Sequence, residues 1–188
     1  MATEIELKAR IENHEALKNL LMEKAKYLAA FEKADCYYFL PELSDYFPSG
    51  VRVRREKRTF PDGTEKSASC VTYKKKEVKD GIEVNDEREF EVRPVEGFEG
   101  FLGRLGFKPG TAKKKRGWAF GRDGITAELV EVEGLGWFIE LEIISEKIPE
   151  TAFAGEKNRL LAFLDNLGVS REAIESQFYS QMLNRPLF

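Results

Sequence analysis

Histidine and cysteine are nearly missing from this chain of 188 residues, which holds one of the first, His14, and two of the second, Cys36 and Cys70. Neither cysteine sits in a C-x-x-C pair or beside a histidine, so no disulfide framework and no structural zinc cluster is indicated. Both read as free thiols. No apolar stretch approaches the roughly 18 residues a membrane span needs, and the N-terminus lacks the apolar core of a secretory signal. The expectation is a soluble, cytoplasmic protein with no membrane partner. A surplus of either charge is missing too: 30 Lys and Arg stand against 33 Asp and Glu, for a net charge of −3. Without a basic excess, nucleic acid is not an expected partner. Nothing reads G-x-x-x-x-G-K-[ST] or G-x-G-x-x-G, so any grip on phosphate must come from side chains. No linker, repeat or low-complexity tract divides the chain, and residues 1–188 are read as a single domain.

What is present is alternation. "EIELKAR", residues 4 to 10, sets Glu4, Glu6 and Lys8 on one face of a strand and Ile5, Leu7 and Ala9 on the other. "VRVRR" repeats the pattern with Arg52 and Arg54 against Val51 and Val53, and "CVTYK" with Thr72 and Lys74 against Val71 and Tyr73. "KKKRGWAF" is read with Lys114 and Arg116 on the charged face, "ITAELVEVE" presents Glu128, and "WFIELEII" places Glu140 and Glu142 opposite Ile139, Leu141 and Ile143. Pro61-Asp62-Gly63, Lys79-Asp80-Gly81 and Arg122-Asp123-Gly124 are expected as tight reversals, and residues 40 to 50 as a loop. Helical spacing is expected after the cap Asn13, running through Leu17, Leu20, Leu21 and Lys24 to Leu28. It is expected again from Pro94 to Gly106, over Leu160 to Leu167 before Gly168, and from Ser170 through Ile174 and Phe178 to Met182.

A sheet with charge on one face usually shows that face to water. Here the helices carry apolar stripes of their own that could cover the apolar strand faces, leaving the charged faces to meet one another. That is a barrel with a polar lumen. Glu4, Glu6, Glu140 and Glu142 would then crowd together, repelling by about 4 kcal/mol per pair at 4 Å and an effective dielectric near 20. A hard divalent cation, Mg²⁺ or Mn²⁺, relieves that repulsion, and Mg²⁺ is commonly shared between carboxylates and substrate phosphates. The bases Lys8, Arg52, Arg54, Lys74, Lys114 and Arg116 call for a compact polyanion, which a triphosphate supplies. Removing Arg54 is expected to relieve like-charge repulsion in the empty fold.

The ordered set of Glu4-x-Glu6-x-Lys8, "DCYYF" with Asp35 and Tyr37, Arg52-x-Arg54, "TYK" ending at Lys74, Glu89-x-Glu91, "KKKR", "EVEGLGWFIELE" and the closing "FYSQML" resembles the CYTH superfamily, the triphosphate tunnel metalloenzymes, over nearly the whole chain. The resemblance implies an α+β fold, an eight-stranded antiparallel β-barrel tunnel with a charged lumen ringed by helices. It implies Glu4, Glu6 and Glu140 as metal ligands, with Glu142 in support and Glu128 where family members often carry Asp. Arg52, Arg54, Lys74, Lys114 and Arg116 would grip the triphosphate. Lys8 and Tyr37 match the positions proposed to activate water in the hydrolytic branch, and Tyr38 would face the other way. His14 reads as a solvated group, and Trp118 and Trp137 as packing residues.

Three activities suit such a tunnel: a metal-dependent triphosphatase acting on tripolyphosphate, thiamine triphosphate or ATP; a class IV adenylyl cyclase forming cyclic AMP and pyrophosphate; and a noncatalytic polyphosphate or nucleotide sensor. The spacing from "KKKR" to Glu140 resembles the cyclase branch. The N-terminal segment with His and Phe that typical cyclases carry before E-x-E-x-K is not found, and the Lys8 and Tyr37 pair is kept, so hydrolysis is the preferred expectation. The oligomeric state stays open, with a homodimer as one option.

Overall fold

The computed structural model describes residues 2–41, 50–79, 82–145 and 152–183, with the side chains of Ala2 and residues 74–87 outside that description. Its strands are β1 (Ala2–Ile11), β2 (Lys26–Phe39), β3 (Val51–Thr59), β4 (Glu65–Lys79), β5 (Ile82–Glu91), β6 (Lys108–Arg122), β7 (Ile125–Val132) and β8 (Gly136–Ser145). Its helices are α1 (His14–Lys24), α2 (Val95–Arg104), α3 (Phe153–Asn166) and the four-residue α4 (Tyr179–Met182). All strand pairs are antiparallel, in the order β1-β5-β4-β3-β2-β6-β7-β8. β1 pairs with both β5 and β8, and the sheet closes on itself as the alternating charge predicts.

The outside of the barrel is where the core sits. Ile5 and Leu7 of β1, Phe120 of β6, Leu129 of β7 and Ile139 and Leu141 of β8 pack under Leu17 and Leu21 of α1 and Leu160, Phe163 and Leu164 of α3. Each fully buried aliphatic side chain of this kind contributes roughly 1.5–3 kcal/mol, so the helices fix which strand faces look outward. On the far side, Val53 and Val71 are covered by Val95 and Leu102 of α2. A smaller apolar cluster, with Phe31, Ala119, Val130, Val132, Phe138 and Tyr179, occupies the inward faces of the strands and plugs part of the interior.

Turn chemistry follows the sequence at two of the three expected reversals. Asp62 Oδ1 accepts from Thr64 N at 2.9 Å between β3 and β4, and Asp123 and Gly124 turn β6 into β7 with φ of 50° and 77°. The third reversal, at Lys79-Asp80-Gly81, and most of the 40–50 loop lie outside the described residues.

Two helices are shorter than expected. Asn13 caps α1 by accepting from Ala16 N, but the helix stops at Lys24 because Ala25 is extended and Lys26 already pairs with Gly121. Leu28 therefore belongs to β2, where ladder hydrogen bonds to β6 outweigh its helical spacing. The C-terminal helix breaks in two: Ser170 caps a 3₁₀ turn at Arg171–Ala173, Ile174 makes a β-bridge to Ala9, and only Tyr179–Met182 is helical. Among the described residues no helix is long and apolar enough to cross a membrane.

Candidate active site

Closure of the barrel turns every second residue inward. β1 contributes Glu4, Glu6 and Lys8; β2 contributes Lys33, Asp35 and Tyr37; β3 contributes Arg52, Arg54 and Glu56. Thr72 comes from β4, Glu89 from β5, Lys113 and Lys115 from β6, Glu128 from β7, and Glu140 and Glu142 from β8. Strand-borne groups that include Glu4, Glu6, Lys33, Arg52, Arg54, Glu56, Lys115, Glu128, Glu140 and Glu142 border a cavity of about 800 Å³.

The opposite charges are already paired across this space. Lys33 Nζ stands 2.6 Å from both oxygens of Glu128. Lys115 Nζ donates to Glu140 Oε1 at 2.5 Å. Arg54 forks onto Asp35 with contacts of 2.7 and 3.0 Å, and Lys113 lies 3.5 Å from the same carboxylate. Arg52 donates to Thr72 at 2.9 Å and to Glu89 at 3.2 Å. Such charges are tolerable out of water because each has a partner.

The bases of β6 differ from the sequence reading. Lys114 and Arg116 point outward, and Arg116 is 72% exposed and paired with Glu131, whereas Lys115 is only 7% exposed. The cause lies further along the strand. Phe120 fills the core under α1 and α3, and Trp118 stacks on Trp137 at 5.6 Å on the same outer face. Burying this aromatic pair commits every even position of β6 to the outside, so Lys113 and Lys115 enter the lumen. The phase of Trp118 and Phe120 in "KKKRGWAF" carried that signal. Lys33, missed as well, was legible from its spacing of two from Asp35 and four from Tyr37. The side chain of Lys74 lies outside the described residues.

Burial opposes ionisation of Asp35, but Arg54 and Lys113 outweigh it and hold the carboxyl well below the usual range. Burial likewise opposes ionisation of Glu140, which Lys115, Tyr179 and Lys33 bring down to about 2. Glu142 goes the other way: burial and then the carboxylates of Glu128, Glu4 and Glu6 push its pKa well above normal. Among the described residues no three His, Cys, Asp or Glu side chains already stand together as a metal cage. The donor chemistry nevertheless fits a hard cation, because crowded carboxylates disfavour one another's ionised form, as at Glu142, and all offer oxygen. Glu4, Glu6, Glu140 and Glu142 would hold it, and Glu128 once released from Lys33.

Lys8 is 2% exposed, with its Nζ 5.6 Å from the centre of the Tyr179 ring. Lys113 Nζ is 5.3 Å from the same ring and 3.4 Å from the Tyr37 hydroxyl. Lys8 and Tyr37 therefore converge on one part of the lumen, around Lys113 and Tyr179. Tyr38 faces outward into the α2 cluster. His14 is not simply solvated, for its ring lies flat on Trp137 at 4.0 Å. Cys36 and Cys70 are both free, and burial raises both thiol pKa values, the opposite of what activates a thiolate.

A closed antiparallel barrel with carboxylates and bases facing one another inside it defines a tunnel protein for a metal-bound polyanion. The chain belongs to the CYTH family: the CYTH domain pattern matches residues 2–179. The fold is similar to that of the PH1012 protein from Pyrococcus horikoshii OT3, with 31% identity, a TM-score of 0.73, and coverage of 95% of this chain and 98% of that one. The PH1819 protein of the same organism gives 25% identity, a TM-score of 0.79, and coverage of 96% and 98%. HpAC1 from Hippeastrum, a protein proposed as an adenylyl cyclase that has a dominant triphosphatase activity, gives 18% identity, a TM-score of 0.66, and coverage of 97% and 94%. Among curated proteins none matches the chain significantly. The protein is thus of the triphosphate-tunnel type, whose members are triphosphatases or adenylyl cyclases that use divalent metal ions.

Proposed function

We propose that the protein is a Mg²⁺- or Mn²⁺-dependent triphosphatase that hydrolyses tripolyphosphate or an organic triphosphate such as thiamine triphosphate or ATP inside the barrel. The observation that carries this reading is the pairing within the lumen: Lys33 on Glu128 and Lys115 on Glu140 set each base against a carboxylate that a cation can take over. A triphosphate and a divalent ion entering together exchange these pairs for better ones, base to phosphate and carboxylate to metal. The metal, held by Glu4, Glu6, Glu140 and Glu142 with Glu128, would neutralise charge developing on the phosphate oxygens.

The chain's own residues do the rest. Arg52 and Arg54, with Lys113 and Lys115, grip the phosphates; Arg forks take two oxygens each and Lys acts as a point charge. Lys8 and Tyr37 orient and deprotonate a water beside a terminal phosphate, a role supported by Lys8 lying near Tyr179 and Tyr37 near Lys113, which itself reaches Tyr179. The triphosphatase activity of HpAC1 shows that a barrel of this fold, resembling a cyclase, can serve hydrolysis in that protein.

The test is product identity. Purified protein with Mg²⁺ or Mn²⁺ is given ATP and, separately, tripolyphosphate, and the products are resolved by phosphorus NMR. Inorganic phosphate, released with ADP from ATP or with pyrophosphate from tripolyphosphate, supports the reading. Cyclic AMP with pyrophosphate from ATP assigns the protein to the cyclase branch, and tight binding without turnover of either compound assigns it a sensor role.

A further inference from the structure

The C-terminal segment reaches the lumen and touches the site at several points through Tyr179. Tyr179 is 7% exposed, and its hydroxyl donates to Glu140, the carboxylate that also accepts from Lys115. Its ring lies 4.5 Å from Lys115 Nζ, 5.3 Å from Lys113 Nζ and 5.6 Å from Lys8 Nζ, and meets Phe138 edge-on at 5.1 Å. One side chain thereby contacts a carboxylate and three cations of the same site.

The segment is also tied down on both sides of the contact. Ile174 bridges to Ala9 and Glu175 N donates to the Lys8 carbonyl at 2.9 Å, which fastens it along β1. Arg10 grips Glu175 through contacts of 3.1 and 3.2 Å. Gln181 closes back on Phe178 N at 2.9 Å, fixing the turn that presents Tyr179. A carboxylate that accepts one donor can swing about it; one that accepts from Lys115 and from an anchored phenol has its plane set.

We infer that Tyr179 is a positioning residue for the metal site: its hydroxyl aims Glu140 at the cation, while its ring holds Lys113 and Lys115 beside the phosphates. This rests on the reading of Glu140 as a metal ligand. Partners that orient a ligating carboxylate typically change metal affinity 10- to 100-fold when removed. The phenol of Tyr179 differs from a plain packing residue in one respect, because a phenylalanine would fill the same space and keep the ring contacts yet leave Glu140 with Lys115 alone.

The experiment measures Mn²⁺ binding to the full-length protein by electron paramagnetic resonance, for wild type, Tyr179→Phe and Glu140→Gln. Tripolyphosphate binding is measured in parallel by calorimetry in the presence of chelator. The expected result is that Glu140→Gln loses Mn²⁺ binding and Tyr179→Phe weakens it about tenfold, with the chelator-state tripolyphosphate affinity of Tyr179→Phe equal to wild type. Wild-type Mn²⁺ affinity in Tyr179→Phe, with Glu140→Gln impaired, overturns the positioning role alone. Equal loss of Mn²⁺ and tripolyphosphate binding in Tyr179→Phe also overturns it, since the hydroxyl would then support the fold and not the carboxylate. Undiminished Mn²⁺ binding in Glu140→Gln overturns the underlying site reading.

Discussion

Lys33 of β2 and Glu128 of β7 meet across the barrel, 2.6 Å from ammonium to each carboxylate oxygen, although β6 separates their strands in the sheet. The pair is buried, and the same Glu128 carboxylate also raises the pKa of Glu142. Breaking one half of a buried pair costs about 3–5 kcal/mol. Lys33→Met should therefore lower the melting temperature strongly in chelator and regain part of the loss with Mg²⁺, which supplies the missing positive charge. Thermal melts in chelator and in Mg²⁺ check this, and an unchanged melting point in chelator counts against the pairing.

Glu142 makes the opposite prediction. Its pKa is raised by burial and by Glu128, Glu4 and Glu6, so at neutral pH the group gives up its proton more readily in the unfolded chain than in the fold, which weakens the metal-free protein. The penalty is absent below the unfolded carboxylate value of about 4.3, grows as pH rises above it and levels off once the raised folded value is passed. Glu142→Gln should raise the metal-free melting temperature at neutral pH and reduce the further stabilisation that Mg²⁺ gives the wild type. A lower melting point in chelator would contradict the account.

Acid should act through Asp35 and Glu140, whose folded pKa values are depressed. Their contribution is complete above the unfolded values of roughly 3.9 and 4.3 and is lost as pH falls through the folded ones, about 2 for Glu140. Urea unfolding of the wild type should show stability falling steadily below about pH 4, with a shallower fall in Glu140→Gln. Parallel curves would show that Glu140 is not held in its charged form.

Arg54 corrects an expectation of the sequence. Removing it was expected to ease repulsion among bases, but Asp35 lies under its guanidinium with a side chain only 1% exposed. Arg54→Ala strips that carboxylate of its bidentate partner and leaves Lys113, at 3.5 Å, as a looser one, so the variant should lose about 3 kcal/mol of stability in urea unfolding. A stabilised variant would restore the repulsion argument.

These cases mark what alternation can and cannot reveal. Period two gave the strands, the closed charged barrel and the inward faces of Glu4, Glu6, Lys8, Arg52, Arg54, Glu128, Glu140 and Glu142, because a strand with apolar residues on one face has no other way to bury them. It failed at β6, where three consecutive lysines and an arginine fit either phase and only the distant demand of Trp118 and Phe120 for a buried outer face decides. Local helical spacing misplaced Leu28 and the segment after Ser170, where pairing with β6 and β1 is stronger than propensity. Tyr179 could not be found from spacing, since its place beside Glu140 depends on where a short terminal segment docks.

The phase of β6 also gives the most direct test of the tunnel as the triphosphate site. Tripolyphosphate binding by calorimetry should weaken at least about tenfold in Lys113→Gln and in Lys115→Gln, the loss of one buried charge-assisted contact being worth about 1.5–3 kcal/mol, and should match wild type in Lys114→Gln and Arg116→Gln. Weakening confined to the Lys114 and Arg116 variants would contradict the account, placing the anion outside the barrel.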